Sequence, residues 1–184
     1  IPGRSTDTVR YSPFIYHTYE NKWEAGSKNP PLYRVMLFTR RNGVYKEYMP
    51  LKIGFGKTEL VDGRIMRLGK ELRLVKAEYD AAADRKTTLA ELKALRAKGK
   101  NTICPSCPQP AWFYEVCDEL GLYVIDRAAI DAPEKRDDRR VGGTPSNDPR
   151  LVDEYLERVK AMYYRSRNFT CVIAYELGCP SGNG

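Results

Sequence analysis

Long apolar runs and histidine are both scarce in this sequence. No stretch approaches the roughly 18 consecutive apolar residues that a membrane-spanning helix needs, and the residues around Ile1 carry no starting Met and no basic-then-apolar signal region. His17 is the only histidine among 184 residues, so a zinc site would lack nitrogen ligands near its cysteines. We therefore expect a soluble chain with no membrane contact, no metal and no cofactor.

The sequence has five cysteines, an odd number at irregular spacing, which is a poor basis for a disulfide framework: Cys104, Cys107, Cys117, Cys171 and Cys179. Cys117 and Cys171 lie within apolar patterns and are interpreted as small buried hydrophobic residues. Cys104 and Cys107 follow a predicted strand and precede a predicted helix. Because a helix N-terminus lowers a thiol pKa, a redox dithiol is one hypothesis for this pair.

The charge pattern disfavours a nucleic-acid partner. The net charge is +7, but basic residues are interspersed with acidic ones, as in the run at 134–140. A nucleic-acid surface would concentrate the positive charge on one face with aromatic side chains between. The run is therefore interpreted as a solvated loop, and the hydrophobic content of 42% is that of a globular protein with a core.

The first part of the chain has the pattern of β-structure. Residues 32–39 are rich in strand-forming types, and Asn42-Gly43, a strong hairpin signal, follows them. Residues 44–55 are the predicted partner strand. A second turn at Asp62-Gly63 joins predicted strands at 58–61 and 65–68, whereas the pattern assigns no element to residues 1–31.

From about residue 70 onward, short apolar segments alternate with helix patterns. Strands are predicted at 72–76, 102–104, 122–126 and 170–176. Helices are predicted from a capping box at Thr88 to Gly99, from Pro110 to Leu120, and from Asp148 onward. The buried stripe predicted for the last helix comprises Leu151, Val152, Tyr155, Leu156, Val159 and Met162.

This alternation predicts parallel strands joined by right-handed crossovers. Ligands of such sheets bind at the carboxyl ends of the strands, which fall here at 76–80, 104–107, 126–131 and 176–180. Four units do not close a barrel of eight, so the pattern alone permits an open α/β sheet or half a barrel.

Three collinear stretches resemble glycoside hydrolase family 2, the β-galactosidase-like family. Residues 110–130 (PAWFYEVCDELGLYVIDRAAI) are similar to the helix and strand that carry Tyr-Val-Ile-Asp-Glu-Ala-Asn-Ile there. Residues 148–168 are similar to the helix before strand four. Residues 172–184 (VIAYELGCPSGNG) resemble the strand-four signature Trp-Ser-Leu-Gly-Asn-Glu-Ser-Gly-Asn-Gly. The resemblance extends over residues 20–184.

The resemblance implies an α/β fold: the first half of a (β/α)8 TIM barrel, residues 61–184, preceded by part of an immunoglobulin-like β-sandwich, residues 1–60. It implies a β-galactoside-like carbohydrate ligand and a retaining mechanism with two Glu residues. The acid/base would stand at the end of strand four and the nucleophile on strand seven, outside this chain. The unpaired sheet edges would be covered by the remainder of the barrel or by self-association, in a parent protein whose compartment stays open, secreted or periplasmic ones included.

The residues at the working positions depart from the family pattern. Cys179-Pro180 stands where the family has Asn-Glu, and proline has no ionisable group to protonate a leaving-group oxygen. Cys104 to Cys107 replaces Arg-Thr-Ser-His, and Arg127 replaces Glu. We therefore expect no turnover by this chain. Two alternatives are a catalytically dead carbohydrate-binding scaffold and a divergent enzyme with its acid/base elsewhere.

The candidate pocket residues lie at the predicted strand ends: Cys104, Cys107, Asp126, Arg127, Tyr175, Glu176, Cys179 and Asn183. Tyr175 replaces the signature Trp and is a candidate for the floor of a sugar site. Glu176 lies deeper than the acid/base position, and we interpret it as an inner-layer residue or a hydrogen-bond partner of Arg127. Asp126 is expected to orient its neighbours, and Trp112 to pack in the core rather than stack on a sugar.

Overall fold

An antiparallel hairpin begins the described structure. The computed structural model describes residues 10, 21–131, 138 and 140–178. Strand β1 (Tyr33–Arg41) pairs with β2 (Val44–Ile53). Asn42 and Gly43 both have positive φ, of 50° and 79°, which a two-residue turn of this hairpin type requires and which Asn and Gly tolerate best. The predicted hairpin is confirmed, and its second strand ends at Ile53 rather than at Phe55.

The hairpin exposes apolar side chains on both of its faces. Phe38 and Tyr48 are directly opposite on one face and are 52% and 61% exposed. Leu37 and Met49 are opposite on the other face and are also exposed. Within the described residues this sheet has two strands, so the expected immunoglobulin-like sandwich is not seen in this part of the chain.

A second small sheet connects the hairpin to the helical part. Strands β3 (Thr58–Val61), β4 (Arg64–Arg67) and β5 (Lys70–Glu71) are antiparallel neighbours in chain order. Asp62 and Gly63 form the predicted turn, both at positive φ. From β4, Arg67 reaches the loop before the first hairpin and donates to the Trp23 carbonyl oxygen at 3.0 Å. Arg67 therefore links this sheet to the segment that carries the core residue Trp23.

The main sheet has four parallel strands in chain order, as predicted: β6 (Lys76–Glu78), β7 (Thr102–Cys104), β8 (Tyr123–Arg127) and β9 (Val172–Glu176). The connecting helices are α1 (Arg85–Ala97), α2 (Ala111–Leu120) and α3 (Val152–Ser166). The first strand was predicted at 72–76, which is wrong. Leu72 and Leu74 pack half-buried against the core, whereas pairing with β7 begins only at Lys76.

The cap of α1 also differs from the predicted capping box. Asp84 is the N-cap residue and its carboxylate accepts a hydrogen bond from Thr87 N at 2.9 Å. Thr88 is instead fully buried inside the first turn, where its hydroxyl accepts from Ala82 N. The predicted end of the helix at Gly99 is confirmed by its positive φ of 81°.

Replacing Asp84 by Ala is expected to lower the free energy of unfolding, because the Thr87 N–H loses its acceptor at the helix start. Chemical denaturation followed by circular dichroism measures the change. Asp84→Asn is the matched control, since the amide oxygen still accepts, and it should cost less than half as much. An equal loss in both variants would contradict the assignment of the cap.

The core lies between the sheet and the helices. Leu92, Phe113 and Val116 of the helices pack against Ile103 and Val124 of the strands, all fully buried. A second cluster joins α3 to the sheet through Met162, Ala128 and Ile130, with Tyr155 and Val159 half-buried.

The buried stripe predicted for α3 is narrower in the structure. Val152 and Leu156 are 60% and 47% exposed. Strand β9 is the last strand of the sheet, so in the described part of the chain α3 has a packed neighbour on one flank only. None of the described helices has the length and apolar character to cross a membrane.

Candidate functional site

Near the carboxyl ends of the main strands, successive side chains point to opposite faces of the sheet. On β8, Val124 belongs to the core shared with the helices, and Asp126 meets Tyr114 of α2. Because side chains alternate along a strand, the residues on either side of Asp126, Ile125 and Arg127, face the inner side, away from the helices.

Arg127 and Glu176 form an ion pair on the inner face at the carboxyl ends of β8 and β9. The two residues are register partners, and Arg127 Nε donates to Glu176 Oε2 at 2.6 Å. Their side chains are 12% and 36% exposed. The interpretation of Glu176 as a hydrogen-bond partner of Arg127 is confirmed.

Cys104 lies at the end of β7 beside this ion pair. Its thiol is buried, and burial is the main cause of its raised pKa. The surrounding charges of Lys76, Glu176, Arg127 and Glu78 partly cancel in their effect on that pKa. Ala77 of β6 packs against the core, so its neighbours Lys76 and Glu78 face the inner side. Cys104, Arg127, Glu176, Lys76 and Glu78 are called the inner-face cluster.

The dithiol hypothesis for Cys104 and Cys107 finds no support in this geometry. A reactive thiolate needs a lowered pKa, whereas burial raises the pKa of Cys104. Both thiols are free, with Cys104 buried and Cys107 exposed. Helix α2 begins only at Ala111, so its N-terminus does not hold Cys107.

Two predicted pocket residues, Asp126 and Tyr175, face the helices instead of the inner cluster. They are register partners on β8 and β9. Tyr175 packs edge-on against Tyr163 of α3, with ring centroids 5.5 Å apart, and contributes to the Met162 cluster. Asp126 is fully buried, and burial raises the pKa of its carboxyl. The strand alternation that points Arg127 and Glu176 inward directs these two outward.

A chain of polar contacts lies behind the strand ends, buried at Tyr114 and Asp126 and exposed at Asp80 and Ser106. Tyr114 Oη donates to Asp126 Oδ1 at 3.0 Å and accepts from Gln109 N at 2.9 Å. Gln109 Nε2 donates to Asp80 Oδ1 at 2.9 Å, and Asp80 also accepts from Ser106 N and Oγ. The chain thus connects the ends of β6, β7 and β8.

Sequence reasoning missed Gln109 and the role of Tyr114. Asp80 was signalled by its place at a predicted strand end, but Gln109 lies in a proline-rich loop and shows no pattern. Trp112, expected in the core, is partly buried and packs against the main cluster. Cys179, Pro180 and Asn183 lie outside the described residues. Among the described residues, no group of His, Cys, Asp or Glu is suited to hold a metal ion.

A cleft lies away from the strand ends. It has a volume of about 890 Å³ and separates the hairpin from α2 and the loop after α3. Apolar walls come from Met36, Leu51 and Phe169. Lys52 and Glu119 form an ion pair across it at 2.7 Å.

Known proteins that are similar to this chain in sequence include β-galactosidases. The family profile described as "Glycosyl hydrolases family 2, TIM barrel domain" matches residues 78–184. A β-galactosidase from Pectobacterium atrosepticum is 30% identical over an alignment that covers 100% of this chain and 18% of that protein. One from Lactobacillus delbrueckii subsp. bulgaricus is 29% identical, with 88% and 17% covered. The chain thus spans less than a fifth of the length of these curated relatives.

Solved structures show the same fold. A β-glucuronidase from Ruminococcus gnavus in complex with D-glucuronic acid superposes with a TM-score of 0.68 at 19% identity, covering 85% of this chain and 26% of that one. An exo-chitosanase from Amycolatopsis orientalis gives a TM-score of 0.64 at 20% identity, with 84% and 19% covered. At this identity the similarity concerns the fold alone.

Proposed function

Because the chain belongs to glycosyl hydrolase family 2, we propose that it is the first half of a barrel that binds a β-galactoside-like sugar at its strand ends without cleaving it. The observation that carries this proposal is the Arg127–Glu176 ion pair at 2.6 Å. This charged pair lies on the inner face of the sheet, where it can bind the hydroxyl groups of a sugar. The ligand class follows from the β-galactosidases among the relatives.

The residues in this chain are poorly suited to hydrolysis. A retaining glycosidase needs a carboxylic acid that protonates the leaving group and a second carboxylate about 5 Å away. The sequence has Pro180 at the family's acid/base position. Glu176, the nearest described carboxylate on that strand, is already engaged by the Arg127 guanidinium at 2.6 Å.

We also propose how the surfaces of this chain are covered in the parent protein. The hairpin exposes apolar side chains on both faces, which need cover from other parts of the parent protein. In line with the family resemblance, residues 1–60 are assigned to an immunoglobulin-like domain and residues 61–184 to the barrel. Strand β9 ends the sheet, and the neighbouring α3 exposes Val152 and Leu156. The remaining strands and helices of the barrel would cover this edge; self-association is the alternative occupant.

A binding and turnover experiment on the full-length protein tests the function. A non-hydrolysable S-linked β-galactoside should bind saturably in calorimetry, and p-nitrophenyl β-galactoside should not be hydrolysed above the buffer rate. Lack of binding would overturn the proposal. Turnover that falls by about 100-fold or more in Glu176→Gln, the loss expected without a general acid, would instead identify Glu176 as the acid/base of a divergent enzyme. Asp153→Asn, on the outer surface of α3, is the matched control.

A further inference from the structure

The carboxyl group of Asp126 lies on the helix side of the sheet, opposite the proposed sugar site. It nevertheless contacts the backbone of Arg127. It is fully buried, and its Oδ1 accepts from Arg127 N at 3.1 Å as well as from Tyr114 Oη. A single carboxylate oxygen therefore fixes both the inner-face arginine and the first turns of α2.

Tyr114 passes this constraint to the loop after β7. Burial, and next the charge of Asp126, raise the pKa of the Tyr114 hydroxyl, so it keeps its proton and donates to Asp126. Its ring is fully buried and stacks on Phe169 with centroids 5.1 Å apart. The hydroxyl accepts a hydrogen bond from the backbone N–H of Gln109. Because packing holds the ring in place, this bond fixes the position of the loop.

Gln109 then joins the loops after β6 and β7. Its side chain accepts from Ala81 N at 2.9 Å and donates to Asp80 Oδ1 and to the Cys107 carbonyl oxygen. It is 5% exposed. Residues 105–110 include three prolines, Pro105, Pro108 and Pro110, which have no N–H to donate. The loop therefore depends on these few side-chain contacts for its position.

We propose that Asp126 and Tyr114 are positioning residues that hold Arg127 and loop 105–110 in place at the mouth of the sugar site. The proposal rests on the proposed sugar binding, since the two residues act on the ligand only through the parts they hold. Removing either acceptor leaves a buried N–H or O–H group without a partner, which costs more than the hydrogen bond itself contributes.

The test compares variants of the full-length protein by amide hydrogen exchange and by calorimetry with the S-linked β-galactoside. Tyr114→Phe and Asp126→Ala should each speed exchange at Ser106 and Gln109 about tenfold and weaken galactoside binding by about the same factor. Asp126→Asn keeps an acceptor oxygen and should stay within about threefold of the wild type in both measurements. Tyr79→Phe is the matched control, because its hydroxyl donates to the exposed Glu91 outside this chain of contacts.

Each remaining outcome overturns one specific statement. Unchanged exchange in Tyr114→Phe and Asp126→Ala would overturn the support of the loop. Faster exchange with unchanged galactoside affinity would overturn the positioning role, as would an Asp126→Asn variant as weak as Asp126→Ala. If the wild type binds no galactoside, the proposed function fails, whereas the exchange rates still decide whether Asp126 and Tyr114 hold the loop.

Discussion

Replacing Trp23 by Ala is expected to lower the free energy of unfolding by about 3–5 kcal/mol, the range for deleting a large buried aromatic side chain. Trp23 is fully buried, and its Nε1 donates to the Asp118 carbonyl oxygen at 2.9 Å. Its ring packs edge-on against Tyr123 with centroids 5.7 Å apart. The truncation would open a cavity where three parts of the chain meet.

The close packing around Trp23 limits how far the structure can relax. A Cβ placed on Gly54 would lie 2.7 Å from Trp23 Cβ, so the backbone after the hairpin already touches the indole. The guanidinium of Arg67 lies 5.6 Å from the centre of the same ring. With neighbours held on several sides, the cavity left by Ala should remain open, which places the cost toward the upper part of the range.

Urea denaturation of the purified protein measures this loss. Tyr48→Ala is the matched control, since it removes an aromatic side chain that is 61% exposed on the hairpin and should change stability by less than about 1 kcal/mol. A Trp23→Ala variant as stable as Tyr48→Ala would show that the indole is not a central core residue.

Lowering the pH from about 7 to about 4 is expected to stabilise the protein through Asp118, contrary to the usual effect of acid. The carboxyl group is 2% exposed, and burial raises its pKa from the ordinary value of 3.8 to about 6. Its Oδ1 accepts from Cys171 N at 2.6 Å, which offsets only part of the cost of burying the charge.

The sign follows from which state binds the proton. Between pH 4 and 6 the folded protein holds a proton on Asp118 that the unfolded chain has already released, so stability rises as the pH falls through this window. A difference of about two pKa units corresponds to about 3 kcal/mol. Asp118→Asn, which keeps an acceptor for Cys171 N, should remove this part of the pH dependence and should be more stable than the wild type at pH 8.

Unfolding free energies measured from pH 4 to pH 8 in both proteins test the prediction. Asp148→Asn is the control of opposite sign, because hydrogen bonds from Arg150 lower the pKa of Asp148 to about 2. Its contribution is lost only as the pH falls below about 4, so this variant should keep the wild-type slope above that pH. Equal slopes for wild type and Asp118→Asn would contradict the buried, ionised carboxylate.

Local signals predicted most of the elements of this fold. Asn42-Gly43 and Gly121 stand where the backbone has positive φ, and such positions are legible in a sequence because few residue types tolerate them. The parallel order of four strands followed from the alternation with helices. The errors lie where two local signals compete: Asp84 and Thr88 both fit a helix cap, and burial of Thr88 decides between them.

The candidate site was predictable only in part. The meeting of Arg127 and Glu176 follows from adjacent strand ends, which sequence order provides. The outward direction of Asp126 and Tyr175 depends on the phase of each strand, and a shift of one residue exchanges the two faces. Gln109 joins loops through contacts that no spacing in the sequence encodes, since its partners at Asp80 and Tyr114 belong to different units.

The opposite directions of Asp126 and Arg127 have a consequence for how such a protein changes over generations. Substitutions at positions 127 and 176 would alter the charges that a ligand contacts. The carboxylate of Asp126 and the loop that it restrains would stay as they are. In the proposed site, the side chain that would meet a ligand and the side chain that holds the loop are thus different residues of the same strand. Substitutions at these strand ends can therefore change or abolish the chemistry of the site while this half of the barrel stays folded.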